Sequence, residues 1–230
     1  TLEVVDPNAP RKVSTEKIDV LLVAIHNDTI SEYQDIVKQV GLEANFFEIE
    51  IFSTMRAVLD EGVESVLILD MGAASTKLYI VERGIVRTSH TVNRGSQDIT
   101  NSISTSLGLP VDRAEILKRT TGYSKESQFS DMSGVISLSL DVIFAEARRV
   151  IFNYQTKYAK TIKKVVLVGG GVAMKGFAEL ASKNLETPVV VGDPFSKTEA
   201  PAFLTPVLKN NGPEFAVALG IALRRLEEIA

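Results

Sequence analysis

The stretch VLILDMGAASTKLYIVERGIVRTSHTV, residues 66–92, places a turn of small residues between β-like segments. The apolar run from Val66 to Leu69 ends on Asp70, the acidic residue at the entrance to the turn. The turn itself consists of Gly72, Ala73, Ala74, Ser75 and Thr76. Because these side chains are small, the backbone N–H groups of the turn can approach an anion closely. The stretch therefore predicts a phosphate-binding loop.

The segments after the turn distinguish this loop from the common phosphate-binding motifs. Residues 77–82 and 85–92 alternate and are rich in β-formers, and Arg83-Gly84 between them predicts a hairpin turn. In P-loop and Rossmann sites the glycine turn instead opens a helix whose N-terminus binds the phosphate. The sequence therefore predicts a β-hairpin that wraps around phosphates.

Composition excludes several classes of function. The chain has 230 residues, 45% of them hydrophobic, no cysteine and two histidines. Disulfides, thiolate zinc sites and cysteine nucleophiles are therefore excluded, and a two-histidine metal motif or a Ser-His-Asp triad has little support. The net charge of −4 with interspersed signs argues against a nucleic-acid partner.

The sequence offers no pattern that predicts a membrane span or a signal peptide. No apolar stretch reaches the ~18 residues needed to span a bilayer. The start, TLEVVDPNAP, resembles neither a signal peptide nor an initiator-methionine terminus, so we expect a fragment or a processed chain. These features, with the absence of cysteine, fit a cytoplasmic protein.

The pattern along the chain predicts an α/β protein with a mixed sheet. Residues 1–17 are interpreted as an extended lead-in, and residues 18–60 as a β-α-β-α unit. In that unit we predict strands at 19–25 and 45–51 and helices at 30–40 and 52–59.

Residues 61–230 are predicted to form the main body. The expected helices are 95–107, 110–121, 138–158, 177–185 and 214–229, and further strands are expected at 164–168 and 189–191. Residues 122–137 and 192–213 are predicted to be loop or irregular.

Two acidic residues are candidates for chemistry at the predicted loop. Asp70 ends a buried strand, where a carboxylate is costly unless it is paired or lies beside a metal. It could organise Mg²⁺ and water, or merely cap its own turn. Glu50 lies at a strand-to-helix junction from which it could face Asp70. Glu48 shares the predicted strand face with Glu50 and is expected to be solvated.

Two further constellations could contact a nucleoside. Glu115 and Lys118 project from one face of a short helix, although a capping box and a simple ion pair explain that spacing equally well. Gly169, Gly170 and Gly171 follow a buried strand, where they allow close approach of a ligand or form only a tight connection.

The joint order of these motifs resembles the PilM family of the FtsA and actin-like ATPase superfamily, over essentially the whole chain. Residues 66–84 resemble the second phosphate motif of that family, GSQDIT with AEILK resembles its connecting helices, and VVLVGGGVAMKGF resembles its adenosine motif. Residues 20–56 resemble the insertion subdomain and the first connecting helix, which argues against MreB, Hsp70 and sugar kinases.

The resemblance implies an actin-like, RNase H-like fold with an insertion subdomain at 18–60 and the C-terminal half of the fold at 61–230. It implies ATP or ADP with Mg²⁺ as ligands, Asp70 as the residue that organises Mg²⁺ and Glu50 as the residue that positions water. The small-residue turn would contact phosphates, Glu115 and Lys118 would contact ribose and base, and the triple glycine would face the nucleotide.

Two departures from the family pattern lower the expected nucleotide affinity. Ser96 stands where a second glycine is usual after Gly95, and nothing before residue 18 resembles the first Asp-x-Gly motif. We therefore expect weak or no ATP binding by this chain alone and at most weak ATPase activity.

The resemblance also implies partners and location. A PilM-like protein is a scaffold of the type IV pilus inner-membrane platform that binds the cytoplasmic N-terminal tail of PilN. It is held at the inner face of the membrane by partner proteins, with further platform proteins and self-association as additional contacts. The alternative is an FtsA-like division protein that tethers FtsZ to the membrane, which would be expected to continue into a basic amphipathic helix.

Overall fold

The computed structural model describes residues 22–60, 62 and 64–229. The chain divides into two compact units between Ala44 and Asn45. The first unit contains helix α1, Asn27–Gln39, none of whose residues is buried. The predicted lead-in and residues 19–21 lie outside the described residues, and residues 22–25 form no strand. The boundaries predicted for the insertion subdomain stay a prediction.

The second unit is built on one mixed, five-stranded sheet. Its strands are β1 Ser65–Met71, β2 Thr76–Glu82, β3 Ile85–Val92, β4 Lys164–Val168 and β5 Val189–Val191. The strand order is β3-β2-β1-β4-β5. Strands β1, β2 and β3 pair antiparallel as a meander, whereas β4 pairs parallel with β1 and β5 parallel with β4. The predicted hairpin and the α/β class with a mixed sheet are confirmed.

Helices cover both faces of the sheet. They are α2 Glu50–Val58, α3 Ser96–Leu107, α4 Val111–Thr120, α5 Ser130–Tyr158, α6 Phe177–Leu185, α7 Thr205–Asn211 and α8 Ala216–Ile229. One face of β1 carries Leu67 and Leu69, which belong to the core formed with α3, α5 and α6. The other face carries Val66 and Ile68, which pack with Ile51 of α2 and Ala216 of α8. Alternation along the strands thus builds two cores.

Three predicted segments of the second unit are also wrong. Residues 45–49 form no strand and α2 already begins at Glu50. The alternation in FFEIEIF favours a strand, but burial of Ile51 against the sheet as part of α2 outweighs this local preference. The loop predicted at 122–137 contains the first turns of α5, whose buried residues Met132, Ile136 and Leu140 recur every four positions among serines. The irregular region predicted at 192–213 contains α7, which accepts Pro206 in its first turn.

Within the described residues, none of the helices combines the length and the hydropathy that a bilayer-spanning segment requires.

Candidate functional site

The carboxyl ends of two parallel strands bring Asp70 and the triple glycine together. Asp70 pairs with Val168 in the sheet, so Gly169 follows directly beside it. A Cβ atom at Gly169 would lie 2.5 Å from the Asp70 Oδ1 and 2.6 Å from the Met71 carbonyl oxygen. The φ of Gly169 is +89°, a conformation that side-chain-bearing residues rarely adopt. Close approach and backbone conformation both require glycine here.

The other two glycines differ in their surroundings. A Cβ at Gly171 would lie 2.6 Å from the Met71 Cγ, so Gly171 also packs against the end of β1. A Cβ at Gly170 would meet only Glu214, at 3.4 Å from its Oε2, and Gly170 is exposed. Two glycines therefore serve packing, and Gly170 is the member open to a ligand.

The turn between β1 and β2 is held by its carbonyl groups. The Gly72 N–H donates to the Ser75 carbonyl at 3.0 Å, which closes the turn. The N–H groups of Ser96 and Gln97, at the start of α3, donate to the carbonyls of Gly72 and Ala73, each at 2.9 Å. The N-terminus of α3 thus fixes the turn and does not face outward as an anion site.

The N–H groups of the turn remain available. Ala73 and Ala74 are exposed, and their N–H groups donate to no acceptor in the part of the chain that the structure describes. The Thr76 hydroxyl is buried and donates to the Arg94 carbonyl at 2.8 Å. Backbone N–H groups without an internal acceptor on a fixed turn suit an anion.

Asp70 lies in an environment that disfavours its charge. Burial raises the pKa of its carboxyl, the nearby Glu50 carboxylate raises it further, and Lys77 opposes both. Among the described residues none donates a hydrogen bond to the Asp70 carboxylate. Burial, with Glu50 and Asp70 nearby, also raises the pKa of the Tyr79 hydroxyl. The cluster of Asp70, Glu50 and Lys77 has two carboxylates and one ammonium. A bound cation would supply the missing positive charge and favour the ionised form of Asp70.

Glu50 begins α2 and forms an ion pair with Lys77 of β2. The structure therefore brings Glu50 and Asp70 to the same cluster, and it adds Lys77, which the sequence reasoning missed. The predicted hairpin could have indicated Lys77, because residues that pair directly across two antiparallel strands lie on the same face, and Lys77 pairs with Asp70.

Glu115 and Lys118 join α4 to α3 instead of standing free. The Lys118 ammonium is buried and donates to the Ser96 carbonyl at 3.0 Å and to the Thr100 hydroxyl at 2.8 Å. Glu115 accepts from Thr100 at 2.5 Å and forms ion pairs with Lys118 and Arg119. Burial would raise the pKa of Glu115, but these hydrogen bonds outweigh it and hold the pKa at about 2.

The expectation that Glu48 is solvated is wrong. Its side chain is 8% exposed and forms ion pairs with Arg56 of α2 at 2.9 Å and Arg224 of α8 at 3.2 Å. The hydrogen bond from Arg56 is the main cause that lowers the pKa of Glu48 to about 2, and Ser53 adds a second hydrogen bond against the cost of burial. Arg224 is 176 positions away in sequence, so local spacing could not reveal the pair.

Comparison with known proteins gives the family and the fold. The family model described as type IV pilus assembly protein PilM matches residues 2–226. The chain is 25% identical to the cell division protein FtsA of Pseudomonas aeruginosa, over 92% of the chain and 54% of that protein. It is 24% identical to FtsA of Neisseria meningitidis serogroup B, over 72% of the chain and 45% of that protein. The chain therefore spans about half the length of the curated relatives it matches.

Solved structures confirm the predicted actin-like fold. The PilM-PilN type IV pilus biogenesis complex contains a chain with a TM-score of 0.73 and 25% identity, matched over 85% of this chain and 57% of that one. MreB5 of Spiroplasma citri bound to ADP has a TM-score of 0.64 at 14% identity, covering 86% of this chain and 65% of that one, which supports the fold alone.

With the family model matching almost the whole chain, the predicted resemblance is confirmed: the chain belongs to the type IV pilus assembly protein PilM family, within the actin-like ATPases.

Proposed function

We propose that this chain is an actin-like scaffold of the type IV pilus platform, in which the ends of β1 and β4 form one side of a Mg-nucleotide site. The observation that carries the nucleotide proposal is the fixed turn at residues 72–75. Its carbonyl groups are held from within, and its exposed N–H groups have no acceptor in the described part of the chain. Backbone N–H groups arranged in this way favour phosphate oxygens.

Asp70 is the proposed residue for Mg²⁺. No group of three or more His, Cys, Asp or Glu that could hold a metal ion occurs among the described residues. A single carboxylate still fits Mg²⁺, because this ion keeps several waters and is commonly bound by one or two carboxylates together with the phosphates. When bound, Mg²⁺ would neutralise phosphate charge. Asp70 would hold a water of its shell, and Glu50 would orient the attacking water.

The nucleoside is proposed to lie between α4 and the triple glycine. Glu115 retains 30% exposure of its side chain and could accept hydrogen bonds from a ribose. Gly170 is exposed and has no side chain, so the base could approach its backbone beside Glu214. Lys118 would act mainly by holding Glu115 and the start of α3 in place, since its ammonium is buried among oxygen acceptors.

Affinity and turnover are proposed to be low for these 230 residues alone. The turn at residues 72–75 would contact the phosphates from one side, so the phosphate oxygens on the other side would remain in water. Fewer contacts to the phosphates mean weaker binding. A titration with fluorescent ATP tests this, run on these residues and on a version extended at the N-terminus to the length of the relatives. We expect at least tenfold tighter binding by the extended protein, and equal tight binding by both would contradict the one-sided site.

The partner proposed for the scaffold is the cytoplasmic N-terminal tail of PilN. The helix α1 supports this, because Tyr33, Ile36 and Val40 lie at helical spacing and remain more than half exposed, at 58%, 52% and 63%. The similar solved chain is part of a PilM-PilN complex. PilN binding would hold the chain at the inner face of the cytoplasmic membrane.

A second candidate function is FtsA-like tethering of FtsZ, which the two FtsA relatives favour. A pull-down that offers the PilN N-terminal peptide and the FtsZ C-terminal peptide decides between them. We expect capture of the PilN peptide, with loss when Ile36 is replaced by aspartate. Binding of the FtsZ peptide alone would overturn the pilus assignment in favour of division.

A further inference from the structure

Lys77 is a charged residue of the candidate site to which neither the family resemblance nor the proposed function gives a role. It follows Thr76, the first residue of β2, and it is the direct cross-strand partner of Asp70. Its side chain points to the sheet face that carries Tyr79 and Val81, the face covered by α2. Lys77 therefore lies beside the turn, on the side from which Glu50 approaches.

The ammonium of Lys77 engages the acidic residue proposed to orient water. Its Nζ donates to the Glu50 Oε1, and the two side chains are 31% and 36% exposed. The first residue of α2 is Glu50, so the helix fixes its backbone while the side chain can still turn. In this arrangement one oxygen of the carboxylate is occupied by a cation instead of a water molecule.

Charge explains why the pair forms. Glu50 is close enough to Asp70 for its charge to disfavour ionisation of the Asp70 carboxyl, and Lys77 is the cation that opposes this effect. A carboxylate oxygen that already accepts a hydrogen bond from an ammonium is a poorer acceptor for a water proton. The same contact that balances the charge therefore lowers the capacity of Glu50 to activate water.

We propose that Lys77 is a positioning residue that restrains hydrolysis: its ion pair with Glu50 keeps this carboxylate from the attacking water, so that bound nucleotide is retained. This inference rests on the proposed function, because it concerns the same site. The restraint is reversible. Ion pairs with this degree of exposure shift an equilibrium by roughly three- to fivefold, so a partner or a phosphate that attracts Lys77 would release Glu50.

The test compares Lys77→Met with the parent sequence, in the protein as it occurs with any natural residues that precede Thr1. Methionine removes the charge and retains an unbranched chain of similar length. Lys77→Arg keeps the cation, and Lys164→Met is a matched control, because Lys164 is a half-buried lysine at the other end of the sheet. Affinity is measured with fluorescent ATP and Mg²⁺, and hydrolysis by single-turnover release of phosphate.

We expect Lys77→Met to raise the hydrolysis rate by about three- to fivefold with less than a twofold change in nucleotide affinity. Lys77→Arg and Lys164→Met should hydrolyse at the parent rate, and the gain should vanish when Glu50→Gln is combined with Lys77→Met. An unchanged or lower rate in Lys77→Met, or a gain that persists without Glu50, overturns the role of Lys77 alone. If the parent protein binds no nucleotide, the proposed function fails, and the Lys77 proposal fails with it.

Discussion

Glu48 and Asp70 are two carboxylates of the same unit, and their environments shift their pKa values in opposite directions. Glu48 is paired with Arg56 and Arg224, and its pKa is lowered to about 2. Asp70 is also partly buried, but its pKa is raised by burial, and none of the described residues donates a hydrogen bond to it. The fold satisfies Glu48 completely and leaves Asp70 to be satisfied from outside. A carboxylate that the fold leaves unsatisfied is the better candidate for function.

The largest effect is expected from the glycine that packs against Asp70. Gly169→Ala should lower the free energy of unfolding by about 3 kcal/mol, because the new Cβ meets the Met71 carbonyl and the backbone is in a left-handed conformation. Gly170→Ala is the matched control and should change it by less than about 0.5 kcal/mol. Urea unfolding followed by circular dichroism measures both. Equal losses of stability in Gly169→Ala and Gly170→Ala would show that the close packing of Gly169 against the end of β1 does not stabilise the fold.

Replacing the satisfied carboxylate should cost less. Glu48→Gln removes the negative charge that pairs with Arg56 and Arg224, and we expect a loss of about 2 kcal/mol at pH 7, below the value for a fully buried pair because both arginines reach solvent. Glu179→Gln, at an exposed position of α6, should be neutral.

The pH dependence of unfolding sharpens this prediction. The folded-state pKa of Glu48 is lowered from 4.5 to about 2, so its contribution is complete above 4.5 and is lost as the pH falls toward 2. The difference in free energy of unfolding between the parent protein and Glu48→Gln should therefore shrink as the pH falls over this range. A constant difference between pH 5 and pH 2 would mean that the ion pair does not stabilise the fold.

The smallest effect, and one of opposite sign, is expected at the unsatisfied carboxylate. Asp70→Asn removes a charge that the fold disfavours, so the free energy of unfolding at pH 7 should rise by about 0.5 to 1 kcal/mol. Because the folded-state pKa of Asp70 is raised, the parent protein loses stability as the pH rises from the ordinary aspartate range to that higher value. Asp70→Asn should lack this loss in urea titrations at several pH values. Destabilisation by Asp70→Asn would show that the fold does use the charge.

The same contrast explains what could be predicted from sequence. The hairpin, the turn before it and the glycine run after β4 are local patterns, so the backbone at residues 66–92 and 169–171 agrees with the sequence prediction. The roles of these residues in ligand binding stay predictions. The partners of Glu48 lie on two helices that only the fold brings together, and Lys77 became visible as a partner of Glu50 only when α2 was placed on the sheet. Helix α5 was predicted too short because serines interrupt its apolar pattern.

The most direct test of the central claim is the Mg²⁺ dependence of nucleotide binding, compared between the parent protein and Asp70→Asn. Fluorescent ATP is titrated in Mg²⁺ and in EDTA, with Glu179→Gln as the control and any natural residues before Thr1 retained. We predict that Mg²⁺ tightens binding to the parent protein and to Glu179→Gln by at least tenfold, and that Asp70→Asn loses most of this gain. Full Mg²⁺ dependence in Asp70→Asn, or no binding by the parent protein, would contradict the assignment of Asp70 and its loop to a Mg-nucleotide site.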